Sequence, residues 1–439
     1  MTEFIKRIHG NRRISVWGIG YLGYTWLLRL QSKGFVSDIY DASSDRIEAL
    51  MSSAYPTKLQ KDAWSSRGEM QSLDLSKITA DDSLDHMFEN NVHIISFPGK
   101  AESGSGNRLE DLSKHFLHHK DKVRDSLVIF QCAETPGDIE RYFINELKKN
   151  EVECSFSTAF RTDWTIEEFL HSDKKRRVVA GYDSESLYKV KYFFKIFGIG
   201  CTALSSIKEA EIYESSRKAL QYTVSSFINQ LALAYPETNI RQAGQYILND
   251  SHFEDMRLSI GNVNYKAASA IRHLLDGSKY PSFLKQLHDA ETSNIYSLIN
   301  YSELICSQGV RSVTILGVSV QCDLKDIRLS PALVLAELLL KAGIEVAIHD
   351  PYFTADEITD FLIGVRYFDI MQYPLQSECV ILIADHQSYR FLTQNDLDRL
   401  RISSAKIIID NTGLWEDFDF SKDSLYHIPG DGKYIRFRD

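Results

Sequence analysis

The chain carries the stretch ISVWGIGYLGYTWLLRLQSKGFVSDIYD at residues 14–41. A short β-prone run ending at Trp17 leads directly into the glycine-rich segment Gly18–Gly23, and a helical pattern then continues to Ser32. A second apolar run ends at Asp41, 18 residues beyond the last of the three glycines. A G-x-G-x-x-G motif between a strand and a helix, with an acidic residue after the next strand, predicts a dinucleotide-binding βαβ unit.

The glycines and the acid each have a physical role in such a unit. Gly18 allows the tight turn, Gly20 lets the backbone approach a pyrophosphate at the helix N-terminus, and Gly23 permits close helix packing. Asp41 should accept hydrogen bonds from the adenosine ribose and repel a 2′-phosphate, so we expect NAD rather than NADP. The predicted cofactor-binding residues here are Gly18, Gly20, Tyr21, Leu22, Gly23, Asp41 and Arg46. The alternative, glycines kept only for packing, does not account for an acid at this spacing.

Further apolar runs continue the α/β pattern through residue 204. One covers residues 92–97 and ends at Pro98, and another covers residues 126–130. Ligands of doubly wound sheets lie at the carboxyl ends of the strands, so Pro98 joins the predicted cofactor site. We therefore predict an N-terminal NAD-binding Rossmann domain at residues 1–204.

Helical patterns replace strand patterns between residues 205 and 308. Residues at helical spacing within 209–234 are Ile212, Leu220, Val224, Phe227, Ile228 and Leu231. A second helical run covers residues 282–307. A long helix between two α/β halves can be a hinge and a dimer interface, or simply a core helix. We predict a central helical domain at residues 205–308 and a homodimer formed through it.

The stretch LGVSVQCDLKDIRLSPALVLAELLLKAGIEVAIHDPY at residues 316–352 predicts a second α/β unit. Strands are predicted at residues 313–316, 345–348, 380–383 and 406–410. The intervening helix opens with Ser330-Pro331, a favourable N-cap and first-turn pair, and Arg328 just before it could reach a phosphate of the cofactor. The predicted fold class is α/β, with two doubly wound Rossmann-like parallel-sheet domains joined by a long helix. The second domain is predicted at residues 309–439.

Composition and charge argue against several kinds of partner. The net charge is −10 and there is no basic tract of useful length, so nucleic acid is not expected as a partner. No apolar run is long enough to span a bilayer, and the polar N-terminus lacks the apolar core of a signal peptide. The six cysteines never form CxxC, which is typical of reduced thiols in a cytoplasmic protein, and no Cys/His cluster predicts a metal site.

The order of the motifs resembles that of the nucleotide-sugar 6-dehydrogenase family, the UDP-glucose/GDP-mannose dehydrogenases. The shared segments are Gly18–Gly23 with Asp41, Phe227–Gln230, Asp326–Pro331, His349–Tyr352, Asp385-His386 and Asp410–Thr412. The resemblance spans nearly the whole chain and is strongest in its C-terminal domain. It implies a four-electron, NAD-dependent oxidation of the C6 alcohol of a UDP- or GDP-linked sugar, in the synthesis of polysaccharide precursors.

The residues that this family uses for catalysis are replaced here. The family needs a cysteine thiolate, which traps the aldehyde so that a second hydride can leave. Its cysteine loop, G-x-G-F-G-G-S-C-F-x-K-D, is met by SIGNVNYKAASA at residues 259–270, where Lys266 stands at the cysteine position. The family's K-x-x-x-N on the central helix is met by Glu214 and Lys218. The usual oxidation to an acid is therefore not expected.

The resemblance also implies residues that contact the substrate. The family's P-E-F-L is met by Ser157-Thr-Ala-Phe160, with Arg161 following, and the lysine of F-K-P-D is met by Gln321. Gly261 lies in the altered cysteine loop. The implied substrate-binding residues are Phe160, Arg161, Gly261 and Gln321.

Two functions stay open on the sequence. The first is an NAD-dependent oxidoreductase that transfers a single hydride from a nucleotide-linked sugar, foremost a UDP-sugar, with Lys266, Lys218 and Glu214 as catalytic candidates. A lysine could serve as base or hold a carbonyl, although each lysine could equally bind phosphate or simply be solvated. The second is a catalytically inactive pseudoenzyme that binds NAD or a nucleotide sugar in a regulatory or assembly role. A third, weaker interpretation is an ordinary 6-dehydrogenase whose thiol comes from elsewhere in the chain.

Overall fold

A computed structural model describes residues 2–52, 73–80, 84–97, 107–131, 135–160, 176–250, 271, 273–277, 279–319, 322, 325, 327 and 330–432. These residues fall into two compact units, and the boundary lies within a long helix, between Arg217 and Lys218. The first unit contains the described residues up to Arg217 together with residues 273–277, and the second contains the others. The predicted division into domains at 1–204, 205–308 and 309–439 stays a prediction.

The first unit is built on a mostly parallel sheet. Within the described residues its strands are β1 (Arg13–Trp17), β2 (Val36–Tyr40), β3 (Ile78–Thr79), β4 (Val92–Ile95), β5 (Leu127–Phe130), β6 (Ser155–Phe160), β7 (Arg177–Gly181) and β8 (Cys201–Ala203). Their spatial order is β3-β2-β1-β4-β5-β6-β7-β8, and of these neighbours β6 and β7 run antiparallel. The strand order therefore reverses between β1 and β4, which is where a doubly wound sheet binds its ligand.

Helices pack on both faces of this first sheet. They are α1 (Thr2–Asn11), α2 (Tyr21–Ser32), α3 (Ser44–Met51), α4 (Arg108–His118), α5 (Asn145–Lys149) and α6 (Ser184–Ile196). On one face, α4 contributes Leu112 and Phe116 to a buried cluster with Phe130 and Phe156 of the sheet. On the other, Trp26 of α2 lies against Phe193 and Phe197 at the end of α6. The predicted βαβ unit at residues 14–41 is confirmed, with α2 beginning three residues earlier than expected.

Long helices follow the first sheet. They are α7 (Ile207–Ala234), α8 (Ile240–Asp250) and α9 (Pro281–Ser307). The helices predicted at 209–234 and 282–307 are confirmed, but the prediction of one apolar face on the first of them is only partly correct. Ile228 is buried, packing with Val224 and Ile240, whereas Leu220 and Phe227 are 51% and 60% exposed. The reason is angular, because Phe227 lies about 100° around the helix from Ile228. Dimerisation through this helix stays a prediction.

The second unit contains a parallel sheet. Its strands are β9 (Ser312–Leu316), β10 (Glu345–His349), β11 (Arg366–Tyr367), β12 (Cys379–Leu382), β13 (Ile407–Asp410) and β14 (Leu425–His427). Its further helices are α10 (Pro331–Lys341), α11 (Ala355–Phe361), α12 (Gln387–Arg390) and α13 (Gln394–Arg399). The strand order β11-β10-β9-β12-β13-β14 repeats the reversal of the first sheet, here between β9 and β12. The predicted fold class, two Rossmann-like parallel-sheet domains, is confirmed.

The described residues show neither a membrane-spanning helix nor a cluster of metal ligands. No helix among them combines the length and apolar character needed to cross a membrane. Nowhere in the described ranges do three His, Cys, Asp or Glu side chains gather as a metal site would require.

Candidate functional site

The glycine-rich turn after β1 is closely packed at its first and last glycines, Gly18 and Gly23, and open at the middle one, Gly20. Gly18 has a φ of +86°, and its N–H donates to the carbonyl of Tyr40 at 2.7 Å. A Cβ at Gly23 would lie 1.8 Å from the carbonyl oxygen of Gly18, so no larger residue fits there without moving the backbone. A Cβ at Gly20, by contrast, would meet nothing within 4 Å in the described structure. The turn therefore leaves its free space at the middle glycine, where a pyrophosphate would approach the backbone.

The N-terminus of α2 faces that space. Gly20 is the N-cap residue and supplies no side chain to satisfy the first amides of the helix, which begins at Tyr21. Unpaired N–H groups and the helix dipole make such a terminus a binding site for phosphate. Leu22 is partly buried beneath the turn. The geometry fits the pyrophosphate of a dinucleotide.

Asp41 lies where the adenosine ribose of a dinucleotide would be held. One carboxylate oxygen accepts from the backbone N–H of Ile19 at 2.9 Å, and the other accepts from Ser43 at 3.0 Å. The half-exposed guanidinium of Arg46 donates to both oxygens at 3.2 and 3.3 Å. A carboxylate has about four lone-pair sites, so Asp41 can still accept from ribose hydroxyls once Arg46 turns aside. Arg46 thus pairs with the carboxylate that the sequence predicts as the ribose acceptor, and the role of both residues in cofactor binding stays a prediction.

A buried carboxyl group of α7 holds the segment that follows β5. Oε2 of Glu211 accepts from the N–H of Gly137 at 2.7 Å, and Oε1 accepts from Ile139 at 3.4 Å. The Glu211 side chain is fully buried, and this burial raises its pKa to about 7 although the two N–H groups act to lower it. Gly137 has a φ of +98°, a conformation that favours glycine. The sequence analysis did not single out Glu211, and the one local signal is a Thr-Pro-Gly turn that needs an anchor.

The catalytic candidates on α7 have different surroundings. Glu214 is buried, and its carboxylate accepts from the Arg217 guanidinium at 3.2 to 3.4 Å, three residues along the helix. Lys218 is partly buried. Glu214 is therefore one half of an ion pair, which is a poor starting point for a general base.

Of the remaining predicted site residues, the structure describes Phe160, and the others lie outside the described part of the chain. Phe160 ends β6, and its side chain is 1% exposed within the aromatic cluster beside α4. The Phe160 side chain therefore lies in the core of the first unit, and a contact of Phe160 with substrate stays a prediction. The residues that lie outside the described part of the chain are Lys266, Pro98, Arg328, Arg161, Gly261 and Gln321.

The second unit also has an acidic residue bonded to the turn after its first strand, but here the carboxylate is enclosed. Asp350, just after β10, accepts from the N–H groups of Val318 and Ser319 at 2.9 and 3.0 Å, and from His386 Nε2 at 3.0 Å. Burial acts to raise the pKa of Asp350, but His386 and these hydrogen bonds outweigh it, so the pKa is lowered. Both Asp350 and His386 are fully buried. Asp350 is therefore enclosed by its own unit and has no access to a ligand.

A small cleft opens at the carboxyl ends of β12 and β13 in the second unit. Its lining residues are Leu298, Tyr301, Leu335, Ile381, Ile383, Ile409 and Asn411. The hydroxyl of Tyr301 and the Oδ1 of Asn411 are buried and have no hydrogen-bond partner in the described residues. The free space between these walls is about what one water molecule needs, so the cleft is too small for a base or a sugar ring.

Comparison with known proteins identifies relatives of the whole chain. Residues 314–417 match the UDP-glucose/GDP-mannose dehydrogenase family, UDP binding domain. UDP-N-acetyl-D-mannosamine dehydrogenase of Methanocaldococcus jannaschii is 22% identical over 99% of this chain and 100% of its own length. Among solved structures, UDP-glucose dehydrogenase from Pyrobaculum islandicum is similar with a TM-score of 0.72 and 19% identity, covering 94% of this chain and 96% of that one. UDP-D-ManNAc dehydrogenase from Pyrococcus horikoshii also gives a TM-score of 0.72, with 17% identity over 96% and 100% of the two chains.

The solved structures show the fold that the motifs predicted. Residues 314–417 match the UDP binding domain of the UDP-glucose/GDP-mannose dehydrogenase family, and nearly the whole chain is similar in sequence to a UDP-N-acetyl-D-mannosamine dehydrogenase.

Proposed function

We propose that this chain is an NAD-dependent oxidoreductase that removes one hydride from a UDP-linked sugar. The observation that carries the proposal is the open glycine turn with Asp41 beside it, in a chain whose other end matches a UDP-binding domain. The relatives named UDP-N-acetyl-D-mannosamine dehydrogenase make UDP-N-acetylmannosamine the first substrate to test.

The residues of the first unit fit NAD. The amides at the start of α2 bind the pyrophosphate, Gly20 leaves room for it, and Asp41 accepts from the adenosine ribose. Bound NAD supplies the acceptor for a hydride. The carboxyl ends of β4 and β5 lie beyond the turn and would line the half of the cofactor that reacts.

The uridine end of the substrate is assigned to the second unit. The support for this assignment is the match of residues 314–417 to a UDP binding domain, since the cleft beside Tyr301 and Asn411 is too small for a base. Asp350 supports that unit from within rather than binding the ligand, since it is enclosed by His386 and the turn after β9.

Oxidation of an alcohol to a carbonyl needs a base for the hydroxyl proton and an acceptor for the hydride, but no thiolate. None of the six cysteines lies within residues 259–270, where the family places its cysteine, and Lys266 stands there instead. Lys266 or Lys218 would take the proton as the hydride leaves. The product would be an aldehyde or ketone two hydrogens lighter than the substrate, with one NADH formed.

A specific observation favours a second candidate, a protein that binds NAD and a nucleotide sugar without turnover. Glu214 takes the place of the family's helix lysine and is held in an ion pair with Arg217. A pseudoenzyme needs only the binding sites, and these are the parts that the first unit keeps.

One experiment separates the two. Purified protein is mixed with NAD and a panel of UDP- and GDP-sugars, NADH is followed by absorbance, and product masses are recorded. The oxidoreductase predicts NADH and a product two hydrogens lighter with at least one UDP-sugar. No NADH with any sugar, while NAD binding persists in a calorimetric titration, would favour the non-catalytic protein.

A further inference from the structure

Three adjacent strands of the first sheet bring a row of residues to the edge where the strand order reverses. Ile95 of β4 pairs in register with Phe130 of β5, so the next residues, Ser96 and Gln131, lie side by side. The ladder continues through them, because Ser96 N–H donates to Trp17 at 2.8 Å and Gln131 N–H donates to Ile95 at 2.9 Å. Ser96 and Gln131 thus stand next to the glycine turn that follows β1.

The side chains of Ser96 and Gln131 point away from the aromatic cluster beside α4. Ile95 and Phe130 belong to that cluster, and side chains alternate along a strand, so the next residue of each strand faces the side of α2. The Cβ of Ser96 confirms this direction, since it lies 3.6 Å from where a Cβ on Gly23 would be. The row therefore faces the helix whose N-terminus receives the pyrophosphate.

The polar atoms of this row are buried and unsatisfied. Ser96 and Gln131 are 7% and 5% exposed, and neither the Ser96 hydroxyl nor the Gln131 amide has a hydrogen-bond partner among the described residues. Thr135, four residues further on, is 7% exposed and its hydroxyl is likewise unpaired. Gln131 differs from the other buried amides of the described chain in that both its oxygen and its nitrogen are unpaired. Burying an amide without partners opposes folding, so a ligand is the natural source of both hydrogen bonds.

We propose that Gln131, assisted by Ser96, binds the nicotinamide half of NAD. A primary carboxamide presents a carbonyl acceptor beside an N–H donor, and the glutamine amide is complementary to both. The cofactor would run from Asp41 after β2, over Gly20 after β1, to Ser96 and Gln131 after β4 and β5. That path crosses three strand spacings, or about 14 Å. The assignment rests on the proposed function, because that function supplies the cofactor.

The test uses two nucleotides that share one end. ADP reaches only the Asp41 and glycine-turn half of the site, whereas NAD also reaches Gln131. Calorimetric titrations with each are run on the wild type, on Gln131→Met, which keeps the side-chain length without its polar atoms, and on Ser96→Ala. Ser126→Ala is the matched control, because its hydroxyl is also buried and unpaired but lies just before β5, at the opposite end of that strand from Gln131.

We expect Gln131→Met to weaken NAD binding about tenfold, with ADP binding unchanged. Ser96→Ala should weaken NAD binding less than Gln131→Met does, and Ser126→Ala should leave NAD binding unchanged. The melting temperature of ligand-free Gln131→Met should rise, since the variant no longer buries an unpaired amide. A structural role for Gln131 predicts the opposite shift.

Three outcomes would overturn the assignment. They are an unchanged NAD affinity in Gln131→Met, an equal loss of NAD and ADP affinity, and a lower melting temperature with both affinities retained. Wild-type protein that binds ADP no more weakly than NAD would also overturn the assignment of Gln131. That result would leave the proposed binding of a pyrophosphate at the glycine turn intact. Wild-type protein that binds neither nucleotide would instead remove the proposed function, and this assignment with it.

Discussion

Glu211 gives the first unit a pH-dependent stability that a single substitution should remove. Its carboxyl group is fully buried, and burial raises its pKa from 4.5 to about 7. Because the folded-state pKa lies above the unfolded value, the stabilisation is complete below pH 4.5 and is lost as the pH rises through about 7. Each pH unit is worth about 1.4 kcal/mol, so the loss from this group amounts to roughly 3 kcal/mol by pH 8.

Glu211→Gln keeps a neutral side chain that can still accept from Gly137 at every pH. The variant should match the wild type near pH 5 and be more stable at pH 8, by up to about 3 kcal/mol, which is several degrees in melting temperature for a unit of this size. Thermal unfolding followed from pH 5 to 8 measures the difference, with the exposed Glu48→Gln as a control that removes the same charge. A constant difference between the Glu211→Gln variant and the wild type across that range would refute the reasoning, since it would mean that Glu211 does not titrate in the folded protein.

Three further predictions concern the cofactor turn and the strands that precede and follow it. Gly20→Asp should abolish NAD binding in a calorimetric titration, because its carboxylate would face the pyrophosphate. Gly20→Ala should fold normally, since Gly20 has a φ of −60° and a Cβ there would meet open space. An equal loss of NAD affinity in both variants would argue against a phosphate at this turn. Gly23→Ala should lower both the melting temperature and the NAD affinity, because the added Cβ would lie 1.8 Å from the Gly18 carbonyl, and wild-type values for both would show that the turn is looser than described. Arg13→Ala should destabilise the protein by about 3 kcal/mol in urea unfolding. The reason is that Asp38, which is 1% exposed, would lose a two-point ion pair with Arg13 at 2.7 and 2.8 Å. Adding Asp38→Asn should restore part of the lost stability, and no restoration would contradict a charge-based cause.

The sequence predicted those parts of the molecule that local patterns determine. The turn at Gly18–Gly23 and the acid at Asp41 lie within one βαβ unit, where spacing alone specifies the geometry. Glu211 could not be found in this way, because its partner Gly137 is 74 residues distant and the pairing depends on how α7 packs. Gln131 was missed for a related reason. A glutamine after a strand is commonplace in sequence, and only the structure shows that its buried amide has no hydrogen-bond partner among the described residues.

The second unit also shows that a local motif does not reveal its long-range partners. Its motifs at Gly317 and Asp350 resemble those of the first unit, and the sequence correctly predicted a second α/β unit there. The pattern does not show that His386, 36 residues later, encloses the carboxylate of Asp350. The same local motif thus places a carboxylate against a half-exposed arginine in one unit and against a fully buried histidine in the other.

The measurement that tests the central claim most directly is the number of NADH molecules formed for each molecule of UDP-N-acetylmannosamine consumed, with the sugar limiting and NAD in excess. We predict one NADH for each sugar, as expected for a single hydride transfer without a thiolate at residues 259–270. Two NADH for each sugar, with an acid as the product, would contradict the account by showing that the full oxidation survives the loss of that cysteine.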